Sequence, residues 1–276
     1  MAETNQNQLA PILYLPHGGG PMPLLGDPSH KNMIAFWQAM AEKFPNPDAI
    51  VMISAHWEAD IASITASEAP ELIYDYSGFP PETYEYKYPS PGNPALAKQM
   101  AEMLTASNIP VVQELERGYD HGMFVPMMLM YPEANIPCVQ LSLLKSSDAQ
   151  QHLNLGKALS KLREQNILII GSGMSFHSFT AMRRKSADDQ KQSQDFDSWL
   201  VETCCSEALT AEQGEQRLID WESAPSGRFS HPREEHLLPL HVCFGMAASS
   251  GHKAEHAYSG SWNGLNLSAF LWNTKD

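Results

Sequence analysis

Short runs of successive apolar residues constrain the fold of this chain more than any other feature. The clearest runs lie at residues 12–15, 49–53 and 167–170 and consist mainly of isoleucine, leucine and valine. Strands that are apolar at every position are buried on both faces, as in a parallel sheet covered by helices. Stretches with helical periodicity alternate with these runs. The pattern predicts an α/β fold: a three-layer single domain with a mostly parallel central sheet and helices on both faces.

The same periodicity predicts the elements one by one. Strands are expected at residues 11–15, 49–55, 61–66, 110–115, 137–143 and 167–171. Helices are expected at residues 30–44, 93–107, 122–130, 148–165, 190–209 and 236–249. Asn93 and Asp148 have the side chains that cap helix N-termini. We find no Pro/Gly linker that divides the chain, so residues 1–276 are expected to form one catalytic domain.

Two further segments are expected to be irregular. Residues 68–92 combine many tyrosines and prolines, and loops this long inside compact domains usually serve as lids or binding loops. Residues 180–195 are polar and are expected to form a surface excursion. His252 and His256 lie among Gly251 and Ser259-Gly260 and are expected on a surface loop.

Charge and cysteine usage exclude several classes of function. The formal net charge is −14 at pH 7, which argues against nucleic acid or an anionic membrane as a partner, since both require basic patches. No stretch approaches the ~18 apolar residues of a membrane-spanning helix, and residues 1–8 lack the pattern of a targeting signal. The four cysteines have no CxxC spacing, which favours free thiols in the cytoplasm over a disulfide framework or a zinc finger.

Histidines follow three of the apolar runs. His17 follows the first, His56 the second and His177 the third, and His236 precedes an apolar helix. Ligands of open α/β sheets collect in the crevice beyond the carboxyl ends of the parallel strands, where such side chains can meet. Imidazole is the commonest protein ligand for metals and the commonest general base near neutral pH. The distribution predicts a mononuclear metal site.

Each of these histidines also has a simpler interpretation. His17 precedes Gly18, Gly19 and Gly20, which let the backbone pass close to a ligand, although a turn with an incidental histidine would look the same. The glycines match neither GxGxxG nor GxxxxGK[ST], so phosphate binding is weakly supported. His56 precedes Trp57, which could wall a pocket, but a hydrogen-bonded core histidine fits too.

The roles of the remaining candidates stay open from the residues alone. His177 could be a general base or a fourth metal ligand. His236 is preferred as a ligand, while the neighbouring Glu235 could replace it in a two-histidine-one-carboxylate set. His121 follows Asp120 at the start of a methionine-rich helix, where it could contact substrate or simply neighbour a helix cap. His241 is expected in the core.

Taken together, these motifs resemble the class III extradiol ring-cleavage dioxygenase superfamily, in particular its DOPA 4,5-dioxygenase type. The resemblance extends over most of the chain. Its landmarks are Pro16-His17-Gly18, Ser54-Ala55-His56-Trp57, the segments 74–80 and 88–92, Asp120-His121-Gly122, the segment 137–142, Gly173-Met174-Ser175-Phe176-His177 and the segment 235–240. One departure is His17-Gly18-Gly19-Gly20-Pro21, where members of this type often have His-Gly-Ser-Pro.

The resemblance implies a single metal, Fe(II) in active enzymes and often zinc in related proteins. It implies that His17, His56 and His236 bind the metal, that His177 is the acid/base residue and can also touch the metal, and that His121 faces substrate and O2. The substrate would be a small catechol, opened by O2. Gly18, Gly19, Trp57, Tyr76 and Phe79 are the expected substrate-contacting residues.

Two other functions fit the same histidines. One is a zinc-dependent hydrolase, in which the metal activates water near neutral pH. The other is a non-enzymatic metal-binding interaction protein of the same fold. Retention of all the strand-end histidines together with His121 favours the dioxygenase.

Overall fold

One sheet of eight strands runs through the computed structural model, which describes residues 9–273. Its strands are β1 (Ile12–Pro16), β2 (Ala49–Ala59), β3 (Ala62–Thr65), β4 (Val111–Glu114), β5 (Cys138–Leu144), β6 (Ile167–Gly173), β7 (Glu255–Trp262) and β8 (Leu265–Trp272). The strand order is β4-β3-β5-β2-β6-β1-β8-β7. The four central strands, β5, β2, β6 and β1, are mutually parallel, whereas β3 meets β5 and β8 meets β1 in antiparallel fashion. The predicted mostly parallel sheet is confirmed.

Helices cover both faces of this sheet. They are α1 (Lys31–Lys43), α2 (Pro94–Ala106), α3 (His121–Met130), α4 (Ala149–Leu159), α5 (Phe179–Arg184), α6 (Ala187–Cys205), α7 (Ala211–Ile219), α8 (Gly227–Ser230) and α9 (Leu238–Ala248). Alternate residues of each central strand point to opposite faces. Leu13 and Leu15 pack with α1 and α3, while Ile12 and Tyr14 pack with α4, α6 and α9. This arrangement confirms the predicted three layers and explains why the strands are apolar at every position.

The C-terminal hairpin of β7 and β8 was not predicted, and the expected surface loop around His256 is wrong. His256 lies in β7, and its Nε2 is 2.9 Å from Ser268 Oγ of β8. The two strands are joined by Asn263 and Gly264, both with positive φ. Asn-Gly is the strongest short-range signal for a two-residue hairpin turn. That signal was available in the sequence.

Three other element predictions need correction. The polar segment 180–195 lies at the surface as expected, but it is helical rather than irregular, because it spans α5 and the start of α6, which begins from a capping box at Ser186. The helix expected at 148–165 ends at Leu159 and continues as a 3-10 turn. Strand β2 extends to Ala59, so His56 lies within a strand, at a register shift, and not beyond its end. Helix α7 was missed.

The segment 68–92 is irregular apart from a 3-10 turn at Pro81–Tyr84, as predicted. It is fixed to the sheet region by an isolated bridge between Leu72 and Tyr119 and by the Tyr88 hydroxyl, which donates to the carbonyl of Tyr131 at 2.9 Å. Within residues 9–273, no helix is long and apolar enough to cross a membrane. Residues 1–8, in which no targeting signal is expected, lie outside the described residues.

Candidate metal centre

Three imidazoles converge at the carboxyl end of the central strands. His17 follows β1, His56 lies near the end of β2, and His236 lies in the turn before α9. One ring nitrogen of each lies within 4.8 Å of those of the other two. His17 Nε2 and His56 Nε2 are only 3.1 Å apart. The sequence-predicted ligands are therefore brought together in one cluster.

The hydrogen bonds of His17 define which of its nitrogens is free. Ser172 Oγ of β6 donates its proton to the carbonyl of Gly122, and it lies 3.1 Å from His17 Nδ1. Because the hydroxyl proton is already used, Ser172 accepts from Nδ1–H. The lone pair of Nε2 then faces the cluster. A metal-binding histidine commonly has its other ring nitrogen fixed in this way.

The other two imidazoles have carboxylates behind them. His236 Nδ1 donates to Glu235 Oε1 at 2.9 Å, and His56 Nδ1 lies 3.5 Å from Asp75 Oδ2. In both residues the Nε2 atom remains for a ligand. Glu235 is grouped with His177 and His236, not with His17 and His56. The geometry thus places Glu235 behind an imidazole rather than within the group of three.

Burial keeps these imidazoles neutral. It lowers the pKa of His17 and of His236 well below the usual 6.5, and the neighbouring imidazoles lower both further. For His56 burial and the nearby His121 lower the pKa to about 3, although Asp75 opposes this shift. Neutral imidazoles offer lone pairs without first losing a proton. The donor set therefore fits a divalent metal.

Two further histidines flank the three. The His177 ring stacks on the His236 ring with centroids 3.5 Å apart, and its Nδ1 is 3.5 Å from Glu235 Oε1. The His121 ring lies 3.9 Å from that of His56 on the other side. Both are adjacent to the cluster but outside the group formed by His17, His56 and His236.

His121 is held by a residue that sequence reasoning did not single out. Asp75 Oδ1 accepts both the backbone N–H of His121, at 2.9 Å, and its Nδ1–H, at 2.8 Å. Asp120, expected as a helix cap, makes no capping bond to α3 and instead accepts from Ser54 Oγ at 2.6 Å and from Arg117 Nη2 at 3.2 Å.

The glycine-rich turn after His17 packs under aromatic rings. A Cβ added to Gly19 would lie 2.8 Å from the Trp262 ring, and one added to Gly20 would lie 3.2 Å from Phe79. Gly18 has a φ of +81°, in the left-handed region that favours glycine. Trp262 contacts this turn from the hairpin that was missed, so its position was not predicted.

The predicted aromatic contacts divide into two groups. Tyr76 lies 5.7 Å from the His121 ring, and Phe79 lies 5.6 Å from Tyr76, measured between ring centroids, so both line the edge of the cluster. Trp57 packs against the Arg117 guanidinium at 4.6 Å and lines a separate cleft with Leu72. Phe179, unforeseen from the sequence, is 60% exposed with its ring 4.8 Å from that of His177.

The histidines without a sequence-based role are buried elsewhere. His30 Nε2 accepts the backbone N–H of Gly19 at 3.1 Å, and His231 Nε2 donates to the carbonyl of Ser175 at 3.0 Å. His152 is buried in α4, and His241 lies in the core, as predicted.

Comparison with known proteins agrees with this geometry. Residues 10–267 match the family described as the catalytic LigB subunit of aromatic ring-opening dioxygenase. The chain belongs to this family. The match covers the whole cluster, from His17 to His236, and the sequence-based resemblance is confirmed. Membership supports the opening of an aromatic ring as the reaction.

Named relatives are similar over nearly the whole chain. A protein named dioxygenase tasH from Hapsidospora irregularis is 40% identical, over 97% of this chain and 87% of the relative. A 4,5-DOPA dioxygenase extradiol from Beta vulgaris is 38% identical over 94% of each chain, and one from Escherichia coli is 36% identical over 83% of this chain and 82% of the relative. A crystal structure of an uncharacterized protein from Escherichia coli K12 superposes with a TM-score of 0.74 at 29% identity, over 95% of this chain and 99% of that one.

Proposed function

We propose that this protein is an extradiol dioxygenase that opens a catechol-type ring with O2 at a single Fe(II) bound by His17, His56 and His236. The observation that carries the proposal is the convergence of three neutral imidazoles within 4.8 Å, in a member of an aromatic ring-opening dioxygenase family. Bound Fe(II) would supply the redox chemistry that lets O2 react with a catechol, and zinc lacks such chemistry.

Under this proposal the protein holds its ligands through outer acceptors. Ser172 fixes the His17 ring, Glu235 fixes the His236 ring, and each leaves Nε2 available. Three neutral imidazoles leave the full positive charge of the metal uncompensated by its direct ligands. A catechol that binds as an anion would then be favoured at the site.

His177 is the group that we assign to proton transfer. Its Nδ1 faces Glu235 Oε1 at 3.5 Å, which leaves Nε2 free to accept a proton from a catechol hydroxyl. The carboxylate stabilises the imidazolium that forms, and the same ring can return the proton later. We assign His121 to the opposite side, facing substrate and O2, where its Nε2 is free to accept or deliver a proton.

We propose that the substrate ring lies beside the histidine cluster, bordered by the glycine turn and the aromatic segment. Gly18 and Gly19 directly follow His17, Tyr76 borders the cluster through its contact with His121, and Phe79 packs on Tyr76. Trp57 is left out, because its ring packs on Arg117 in a separate cleft. The four free cysteines support the cytoplasm as the compartment.

The test is anaerobic reconstitution with Fe(II), followed by O2 uptake and absorbance measurements with a panel of catechols that includes DOPA and protocatechuate. We expect stoichiometric uptake and a yellow ring-opened semialdehyde. His177→Ala should abolish the product, whereas His252→Ala, at an exposed position, should not change the rate. Full iron occupancy without uptake on any catechol would contradict the proposal and favour a zinc hydrolase or a non-enzymatic metal-binding protein.

A further inference from the structure

Asp75 connects the aromatic segment to two imidazoles of the cluster at once. Its Oδ1 accepts two hydrogen bonds from His121, at 2.8 and 2.9 Å, and its Oδ2 lies 3.5 Å from His56 Nδ1. Within the described part of the chain, the ion-pair partners of Asp75 are these two imidazoles. The carboxylate is thus directed at the cluster and not at an arginine or lysine.

This arrangement determines which nitrogen of each ring carries the proton. A carboxylate only accepts hydrogen bonds, so His121 places its N–H on Nδ1, and the carboxylate oxygen 3.5 Å from His56 Nδ1 favours an N–H there as well. The Nε2 atom of His56 then carries a lone pair toward His17, where a metal is expected, and the Nε2 atom of His121 is left as an acceptor. One carboxylate therefore sets the tautomer of a proposed metal ligand and of a proposed substrate-facing residue.

We propose that Asp75 is a positioning residue that holds His56 and His121 in their active tautomers and orientations, and so couples metal affinity to ring opening. The part of this inference that concerns ring opening rests on the proposed function. The part that concerns metal affinity does not. Metal-binding histidines depend on such outer carboxylates, and loss of one weakens binding by roughly 10- to 100-fold.

Among residues 9–273, no neighbouring acid replaces Asp75. Asp120 is fully buried beside the same helix end, but its two oxygens already accept from Ser54, Arg117 and Gln140. Glu235 lies behind His236 on the other side of the cluster. Removal of the Asp75 acceptor atoms would therefore leave both Nδ1 atoms without the carboxylate that faces them, and no other described residue is recorded at either atom.

The informative substitution is Asp75→Asn. Asparagine keeps the shape but has one acceptor oxygen and one donor amide. If the oxygen stays on His121, the NH2 group faces His56 Nδ1 and favours the tautomer with the proton on Nε2, which cannot bind a metal through Nε2. If the amide group is rotated by 180°, its NH2 group faces His121 Nδ1 instead. In either orientation a donor faces one of the two Nδ1 atoms, so the tautomer or the orientation of that ring is expected to change.

The experiment measures zinc affinity of the full-length protein by competition with a chromophoric chelator. We expect Asp75→Asn to bind zinc roughly 10- to 100-fold more weakly. The matched control is Asp60→Asn, which removes the same charge from a side chain that is 83% exposed and paired with Lys145. The control should keep wild-type affinity. Nitrogen-15 NMR of the imidazoles should show a changed tautomer for His56 or His121 in Asp75→Asn alone.

The variant Asp75→Glu shows whether Asp75 acts by positioning the two imidazoles or only by packing the loop in which it lies. Glutamate keeps both acceptor oxygens and should recover part of the zinc affinity that Asp75→Asn loses, even if both variants melt at a lower temperature. Wild-type zinc affinity and unchanged tautomers in Asp75→Asn would overturn the inference, as would equal losses in the Asn and Glu variants.

Steady-state kinetics of the iron-loaded enzyme test the part of the inference that concerns ring opening. We expect kcat for Asp75→Asn to fall by about tenfold or more at saturating iron, with a much smaller change in KM for the catechol. If wild-type enzyme opens no catechol, the proposed function fails, but the zinc and NMR results still decide whether Asp75 positions the rings. If wild-type enzyme is active and Asp75→Asn matches it in kcat, the catalytic part of the inference is wrong.

Discussion

The buried imidazole of His152 should make the stability of the folded protein depend on pH. His152 Nε2 accepts the backbone N–H of Leu144 at 3.0 Å, and its Nδ1 donates to the carbonyl of Asp148 at 2.7 Å. Both bonds require a neutral ring with its proton on Nδ1. Burial lowers the pKa of His152 from 6.5 to about 4. Between these two pKa values, His152 is therefore neutral in the folded state and protonated in the unfolded chain.

The sign and size of the effect follow from these two values. In the unfolded chain the imidazole has an ordinary pKa of about 6.5, so the unfolded state is protonated first as the pH falls. The contribution of His152 to stability is present above that value and is lost on acidification toward pH 4. Linkage gives a loss of about 2 kcal/mol between pH 7 and pH 5, and about 3 kcal/mol by pH 4.

Urea unfolding of the metal-free protein in EDTA, at several pH values from 7 to 5, measures this loss. In His152→Gln the side-chain oxygen can accept from Leu144 while the amide donates to Asp148, with no group to titrate. Its free energy of unfolding should decline less than that of wild type, by about 2 kcal/mol over this range. His252→Gln, at an exposed position, should follow wild type. Parallel curves for wild type and His152→Gln would refute the reasoning.

Three further substitutions test the site and the packing. Ser172→Ala removes the acceptor of His17 Nδ1–H and should weaken zinc binding about tenfold in the chelator assay, without a large change in melting temperature. Gly156→Ala would place a Cβ against the carbonyl of Val242, where α4 and α9 touch, and should cost about 1–3 kcal/mol in urea unfolding, unlike Gln151→Ala at an exposed position of α4. Phe179→Ala, at a ring 60% exposed beside His177, should raise KM for a catechol about fivefold, since roughly 1 kcal/mol of apolar contact is lost, while stability stays unchanged.

The central sheet could be predicted because its strands are buried on both faces. Runs such as 49–53 are apolar at every position, and few other structures accommodate that pattern. The edge hairpin is different. Strand β7 alternates between exposed and half-buried residues and contains Gly260, so it lacks the apolar signal, and only Asn263-Gly264 marks the turn.

The site was predictable to the extent that strands position it. His17 and His56 lie at the end of parallel strands, and such ends share one edge of the sheet. Asp75 lies in an irregular segment, whose path depends on tertiary contacts such as the bridge between Leu72 and Tyr119. Periodicity carries no information about such a path. The burial of His30 and His152 could not be predicted either, because no motif or strand end in the sequence marks these two histidines.

The position of β1 in the sheet has a consequence for the order of events during synthesis. Strand β1 comes first in the chain, yet Ile12 pairs with Ile169 on one side and with Trp272 on the other. These distant pairings close late, because long loops must be ordered before the contacts that stabilise them can form. A nascent chain therefore carries an unpaired apolar strand until β6 has left the ribosome, a state exposed to aggregation and suited to chaperone binding.

Metal binding by all three histidines must follow the pairing of β1 with β6. His17 and His56 leave the ribosome well before His236, which lies 180 residues after His56 (236 − 56). An ion held by all three imidazoles can bind only after His236 has been made, so it cannot stabilise the segment that carries His17 and His56 before then. The cell would have to deliver the metal after that point.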